Sequence, residues 1–414
     1  MWATDSCGNV TESREMFSFT TIEPIPVWTQ TYTGRSNEGM AGHGVTVDSG
    51  GNVYVAGWES RFYDEVTHEF INEGLNIWVQ QYDGSGVPGW TQWVNGVRGS
   101  GDVGNDLTLF GDSLYVAGRT TVVLEQSIDI WLGKFRTDGS PLWSRTYNGT
   151  VNEEDEAVSV AVDNRGDIYL TGYESMVDGE DYRIWVRKYN ADGAAIWTDT
   201  YNGPVPASGF ESSFDSGTGI AVDAEGNAYV TGYIEVAGEG ANIWIRRYDP
   251  AGSPVWTRTY NGSANRDDAG HGIAVDNRGN LYVIGYETVS TVGLKNKWIS
   301  KYDIDGNLLW SRTNEAGTDV ALSFANSAGI TFDDASDNIY VIGTNFSGTN
   351  DDIWIGKYDA DGNPLCMQVY NGTGNGNDEG HDIAVDGVGG VYVTGGSVNA
   401  EGIWGSWARK YTNF

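Results

Sequence analysis

Five columns of residues recur down this sequence, and one of them is out of step with the others. A tyrosine returns as Tyr54, Tyr115, Tyr169, Tyr229, Tyr282, Tyr340 and Tyr392, followed three residues later by Gly57, Gly118, Gly172, Gly232, Gly285, Gly343 and Gly395. A tryptophan returns as Trp78, Trp131, Trp185, Trp244, Trp298, Trp354 and Trp407, with an aromatic four residues beyond each, from Tyr82 to Tyr411. Columns of seven at intervals of roughly fifty to sixty residues mark an array of like units. The remaining column runs Trp28, Trp90, Trp143, Trp197, Trp256, Trp310 and then Cys366, so it begins before the first complete repeat.

The stretch Ala269 to Thr313 shows what one unit is. Ile273 to Val275 and Leu281 to Gly285 are short apolar runs separated by Asp276-Asn277-Arg278-Gly279-Asn280. Trp298 to Tyr302 alternates, and Asp305-Gly306 turns the chain into Leu308 to Arg312. Asn, Asp and Gly at those turns tolerate the left-handed backbone a tight hairpin requires. Four short strands with apolar residues on both faces cannot stand alone, and more copies must cover them. The expected fold is therefore all-β, a seven-bladed propeller of four-stranded antiparallel blades.

The misplaced column predicts how the ring closes. The last repeat ends after a third strand at Tyr411, and Pro26 to Tyr32 is an outer strand with no blade. Joining the two completes the ring. Blades are expected at about residues 42–95, 101–147, 156–201, 216–260, 269–313, 327–370 and 380–411 plus 26–32, giving a propeller over 25–414 preceded by a separate segment, 1–24.

A formal charge of −33, with few and scattered Lys and Arg, repels phosphate backbones and anionic membranes. No nucleic-acid partner and no membrane insertion are expected. Met1-Trp2-Ala3-Thr4-Asp5 has neither the basic region nor the apolar core of a signal peptide. Cys366, standing in an aromatic column, reads as a buried small hydrophobe, and Cys7 as a cysteine without a partner.

Gly272-Ile273-Ala274-Val275-Asp276, then Gly279-Asn280-Leu281-Tyr282-Val283 and Gly285-Tyr286, resemble the SBBP repeats of bacterial and archaeal surface β-propellers. Asp223 with Gly226-Asn227-Ala228-Tyr229-Val230-Thr231-Gly232-Tyr233 repeats the likeness, which extends over almost the whole chain from Pro26. It implies an extracellular or surface-displayed propeller and assigns no activity. Ala3 to Phe19 resembles the last strands of an immunoglobulin-like or HYR-type module. That implies further modules, and an export signal, upstream of this chain.

Candidate chemistry is weighed against packing. Tryptophan columns in register are what neighbouring blades need to pack, and no cofactor ligands accompany them. The turn Tyr358-Asp359-Ala360-Asp361-Gly362-Asn363 has the flavour of a calcium loop, but no later Glu completes one and other repeats lack the acid pair. It reads as a hairpin turn, and no cofactor is expected. The long, variable connections all leave on one face, where binding residues belong. There the innermost strands contribute His43, His271 and His381, three of four histidines in one column, and the second strands end in Trp58-Glu59, Tyr173-Glu174 and Tyr286-Glu287. Rings with carboxylates around a concave mouth suit a carbohydrate or protein ligand. The chain reads as a secreted or cell-surface binding module. The alternative is a propeller enzyme, a lyase or glycan-acting hydrolase, using a His–carboxylate pair, which a desolvated histidine within reach of a carboxylate would favour.

One further column carries charge. Lys134, Lys188, Arg247, Lys301, Lys357 and Lys410 lie three residues after their tryptophans, and Asp48, Asp163, Asp223, Asp276, Asp333 and Asp386 end the first strands. A lysine in a packed ring needs a partner. The expectation is that each basic residue reaches the Asp of the next blade, Lys301 with Asp333 for example.

Overall fold

The computed structural model describes residues 2–4, 10–12, 24–34, 39–64, 69–96, 101–122, 127–176, 181–204, 214–290, 295–313, 329–346, 350–412 and 414. Seven four-stranded antiparallel sheets form the ring. Blade one runs Met40–Val47, Val53–Asp64, Glu69–Tyr82 and Pro88–Val94 from the axis outward, and the next five blades follow the same order. Blade seven takes Asp378–Val385, Gly390–Val398 and Trp404–Thr412 from the end of the chain and its outer strand, Ile25–Tyr32, from the beginning. Pro26 pairs with Tyr411, Trp28 with Lys410 and Tyr32 with Ser406. Closure is as the offset tryptophan requires. Trp2–Thr4 and Val10–Glu12 pair with each other, and the rest of the segment expected to resemble an immunoglobulin-like module lies outside the described residues.

Both tryptophan columns bind blade to blade. The third-strand members are buried, and five of them pack against a tyrosine from the outer strand of the preceding blade. These are Trp78 on Tyr32, Trp185 on Tyr147, Trp244 on Tyr201, Trp298 on Tyr260 and Trp407 on Tyr370, at 4.9–6.0 Å between ring centroids. The fourth-strand members lie over the next blade's third-to-fourth turn. Trp197 Nε1 donates to the Pro250 carbonyl (3.3 Å), Trp256 to Ile304 (3.0 Å) and Trp310 to Ala360 (3.2 Å). The turn must be glycine on two counts. At Gly252 the backbone is left-handed (φ +87°), and a Cβ would lie 2.6 Å from the Trp197 ring. Trp28 makes the same contact across the seam, donating to Gly84 O at 3.3 Å and covering Gly86.

Two expectations are corrected. Four of the basic residues do reach the next blade, but they meet a carbonyl and not the aspartate, while Lys188 stays in its own blade, 2.9 Å from Asp167 and 3.9 Å from Asp163. Lys301 Nζ donates to Ala360 O (3.1 Å), Lys134 to Ala191 O (3.2 Å) and Lys357 to Phe414 O (2.7 Å). The aspartates are already engaged within their own blades: Asp276 accepts from the Arg278 and Asn280 amides, the Asn280 side chain and the Tyr282 hydroxyl. Asp333 likewise holds its turn through the Ala335 amide and the Ser336 hydroxyl. Cys366, read as a mere hydrophobe, is buried and disulfide-bonded, while Cys7 lies outside the described residues. The Asp359 carboxylate is taken up by its own turn, accepting from the amides of Asp361 (3.0 Å) and Asn363 (2.8 Å) and from the Asn363 side chain (2.8 Å).

Candidate functional site

The glycine column builds the central mouth. In blade one the pairing runs Gly42 with Gly57 and then Gly44 with Ala56, so His43 is left over as a β-bulge. The same slip leaves out Asn105, Val158, Thr218, His271 and His381 in five other blades. The bulge drives a first-strand carbonyl against the second-strand glycine. A Cβ at Gly57 would lie 1.8 Å from Ala41 O, and at Gly172 1.9 Å from Glu156 O. Only glycine fits. The side chain that the bulge frees turns toward the axis, so a histidine column in sequence becomes a ring in space.

That ring lines a cavity of about 890 Å³ on the propeller axis. Trp58, Tyr173, Tyr233 and Trp404 stand around it from four blades, with His43, His271 and His381 among them. His43 and His381 meet edge to face at 4.9 Å between centroids. Burial, and then the neighbouring His381, lower the His43 pKa from 6.5 to about 3, so this ring is neutral at physiological pH. His381 is held at both nitrogens, Nδ1 on the Gly42 carbonyl at 2.9 Å and Nε2 on Glu379 Oε2 at 3.2 Å. With Nδ1–H donating to a carbonyl, the second bond requires a proton between Nε2 and the carboxylate. Opposite them, Glu156 accepts from Arg119 (2.9 Å), Asn105 (2.6 Å) and the Tyr173 hydroxyl (2.8 Å). This network fixes the orientation of Tyr173.

Of the residues picked out in sequence, His43, His271, His381, Trp58 and Tyr173 come together at the mouth, and Tyr286 packs against His271 at 5.6 Å between centroids. Glu59, Glu174 and Glu287 do not join them. All three are buried, accepting from Trp93 Nε1, the Tyr147 hydroxyl and the Tyr260 hydroxyl respectively, and the last two thereby tie their blade to the one before. Successive strand residues face opposite sides of a sheet, so an aromatic and the acid beside it cannot serve one mouth.

Sequence reading missed the acids on the axis. Asp106 and Asp382 directly follow the bulge, in a column otherwise filled by Gly44, Ser159, Gly219, Gly272 and Gly329. An acid among glycines was the available signal. Each carboxylate bridges to the innermost strand of the next blade, Asp106 to Ser159 Oγ (2.8 Å) and the Val160 amide (2.9 Å), Asp382 to the Val45 amide (2.8 Å). Burial raises them to about 6 and about 8, Asp382 also through the charge of Asp106. A second acid set fastens the outer loops. Asp155 and Asp268 each accept two backbone amides, from Gly149 and Ser175 and from Gly262 and Thr288, and burial raises them to about 7 and about 6.

A pH dependence follows. An acid whose pKa is higher folded than unfolded binds a proton on folding, so its contribution is greatest in acid and is lost as pH rises through the folded value. Asp382 and Asp155 titrate on that account up to about pH 8 and 7. His43 acts in the opposite sense below its unfolded value of 6.5, and Lys297, which burial lowers from 10.5 to about 7, opposes the acids above pH 7, but the two acids together outweigh it. The melting temperature should therefore rise as pH falls from about 8 to 6.5, and Asp382→Asn should flatten the rise. A flat wild-type profile over that interval would show that these acids are not buried as described.

The comparisons agree with this architecture. The model of the SBBP β-propeller repeat matches residues 209–236 and 255–286. These two segments are SBBP repeats. Uncharacterized WD repeat-containing protein L264 of Acanthamoeba polyphaga mimivirus is 25% identical over 358 residues, which is 76% of this chain and 22% of that protein. The ring is also similar to a protein of unknown function from Dyadobacter fermentans, at TM-score 0.51 and 8% identity over 94% of this chain and 99% of that one. The β-propeller domain of the trilobed protease from Pyrococcus furiosus, which has an open velcro topology, gives TM-score 0.50 and 10% identity over 91% and 95%. At these identities the two structures speak for the fold alone.

Proposed function

We propose that the ring is a binding module of the extracellular space or cell surface, taking a carbohydrate or protein ligand at the axial mouth. The observation that carries this is the cavity of about 890 Å³ ringed by Trp58, Tyr173, Tyr233 and Trp404, half-buried rings set among hydrogen-bonding groups. Such rings offer flat apolar faces for a sugar or an aromatic side chain, and the polar groups between them fix orientation. The disulfide at Cys366 and the charge of −33 support an oxidising, aqueous setting.

The enzyme reading has one observation in its favour. His381 is only 6% exposed and lies within reach of Glu379, the arrangement that an acid–base pair needs. Its Nδ1 is committed to the Gly42 carbonyl, so Nε2 alone is available to a substrate, and only if Glu379 swings away.

Glycan and peptide arrays on the intact chain test the binding reading, with the best ligand taken to calorimetry. Trp58→Ala with Tyr233→Ala should weaken binding by at least about tenfold while the melting temperature holds, each lost stacking contact being worth roughly 0.5–1.5 kcal/mol. Unchanged affinity in the folded double variant would remove the ligand from this mouth. Conversion of a bound oligosaccharide that Glu379→Gln abolishes would favour the enzyme.

A further inference from the structure

Directly before each third-strand tryptophan the blades carry Ile77, Ile130, Ile184, Ile243, Lys297, Ile353 and Ser406. The five isoleucines are 0–1% exposed. Each packs into a cluster that holds the third-strand tryptophan of the following blade, Ile77 with Trp131, Ile130 with Trp185, Ile184 with Trp244, Ile243 with Trp298 and Ile353 with Trp407. Lys297 keeps the contact and changes its chemistry. Its Nζ lies 3.5 Å from the centroid of Trp354, the corresponding ring of the next blade. Four other lysines give their ammonium groups oxygen: Lys188 pairs with Asp167 at 2.9 Å, and Lys134, Lys301 and Lys357 each donate to a carbonyl, while Lys295 and Lys410 lie over the Tyr286 and Tyr392 rings at 3.9 and 4.9 Å. Among the described residues, Lys297 has the tryptophan face and no carboxylate.

We propose that Lys297 is a carbonyl-reactive amine, a site that takes aldehydes reversibly as imines. An ammonium in an isoleucine's place loses hydration that one ring only partly replaces, which favours the free amine. Burial, with no charged group acting on it, brings the lysine from 10.5 to about 7. The residue as a whole is half-buried, where the isoleucines of its column are sealed in. In the reaction the Nζ lone pair attacks the carbonyl carbon, the C=O bond becomes C=N, and the oxygen leaves as water with two protons. The protonated imine keeps the single positive charge over the negative face of Trp354. That favours aldehydes over carbon dioxide, whose adduct would put an anion on the same face inside a chain of charge −33. This site is independent of the axial mouth.

The test is reductive labelling of the full chain with formaldehyde and cyanoborohydride, with sites and rates read by peptide mass spectrometry across a pH series. Lys297 should label at least about tenfold faster than Lys357 or Lys410 at pH 7, with a half-maximal rate near pH 7. Labelling no faster than those two lysines, or a rate that climbs only above about pH 9, overturns the assignment. Lys297→Ile gives a second readout, because it restores the column. Its melting temperature should rise, and an unchanged or lower value would mean that the amine is not desolvated and would equally overturn it.

Discussion

Removing residues 1–32 should open the ring and leave a chain that melts much earlier and aggregates. The strand Ile25–Tyr32 covers the third strand Trp404–Thr412 of the last blade from Ser406 to Thr412. Without it, that strand's amides and carbonyls become a free edge able to recruit other chains. The loss also falls on the interface with blade one, because Trp28 is 8% exposed, packs near Tyr82 at 6.0 Å and lies over Gly86. Trp28→Ala alone should cost about 3–5 kcal/mol, the range for emptying a buried aromatic site. Trp197→Ala, which removes the same contact between two blades already joined by the chain, separates packing from closure. It should cost no more than Trp28→Ala and should not promote aggregation. A chain starting at residue 24 should behave as the full chain does in unfolding, provided both are compared with cysteines reduced. Equal melting of the full chain and the one lacking residues 1–32 would falsify closure as a source of stability.

Gly172→Ala should be nearly as damaging, although it adds a single methyl group. Its Cβ would sit 1.9 Å from Glu156 O and 3.0 Å from Ala157 Cα, both backbone atoms that no rotamer change can move. Relief requires undoing the bulge that excludes Val158 from pairing, and with it the register of the innermost strand. A one-residue slip sends every following side chain to the other face. The expected cost is at the top of the roughly 1–3 kcal/mol range for overpacking, or above it. Gly101→Ala is the control. Its nearest neighbour would be Ile128 Cδ1 at 3.8 Å, an ordinary contact, so the change should be close to neutral. Equal stabilities of the two variants would rule out the carbonyl as the reason for the glycine column. Gly57→Ala adds a functional readout, since blade one's bulge aims His43 and its second strand carries Trp58. Any ligand held at the axial mouth should be lost along with stability.

The ring was legible in the sequence because a propeller repeats its packing. Each interface asks for the same tryptophan over the same turn glycine, so the requirement recurs at a fixed interval and a missing or early member stands out. Trp28 is such a member, and it located the closing strand without any coordinates. The aspartates and lysines misled for the same reason: a column shows that a residue has a fixed partner but not which atom it meets. Asp276 was engaged by its own turn and by Tyr282, and Lys301 took a carbonyl of the next blade, which it shares with Trp310 Nε1.

The mouth divides along the same line. Periodicity collected His43, His271 and His381 into a column, and strand geometry made that column a ring. Which neighbours share the ring was decided by the bulge, which adds one residue and breaks the two-residue alternation at that point alone. It brought Asp106 and Asp382 to the axis, while ordinary alternation carried Glu59, Glu174 and Glu287 away into the packing between strands. The sequence by itself determined the number of blades, their order and their closure, because those follow from apolar contacts repeated in every unit. The charges that face the cavity, the pairing of His381 with Glu379 and the desolvation of Lys297 were decided only by the tertiary structure, because each depends on how far a group lies from others remote in the chain and on how much water remains beside it.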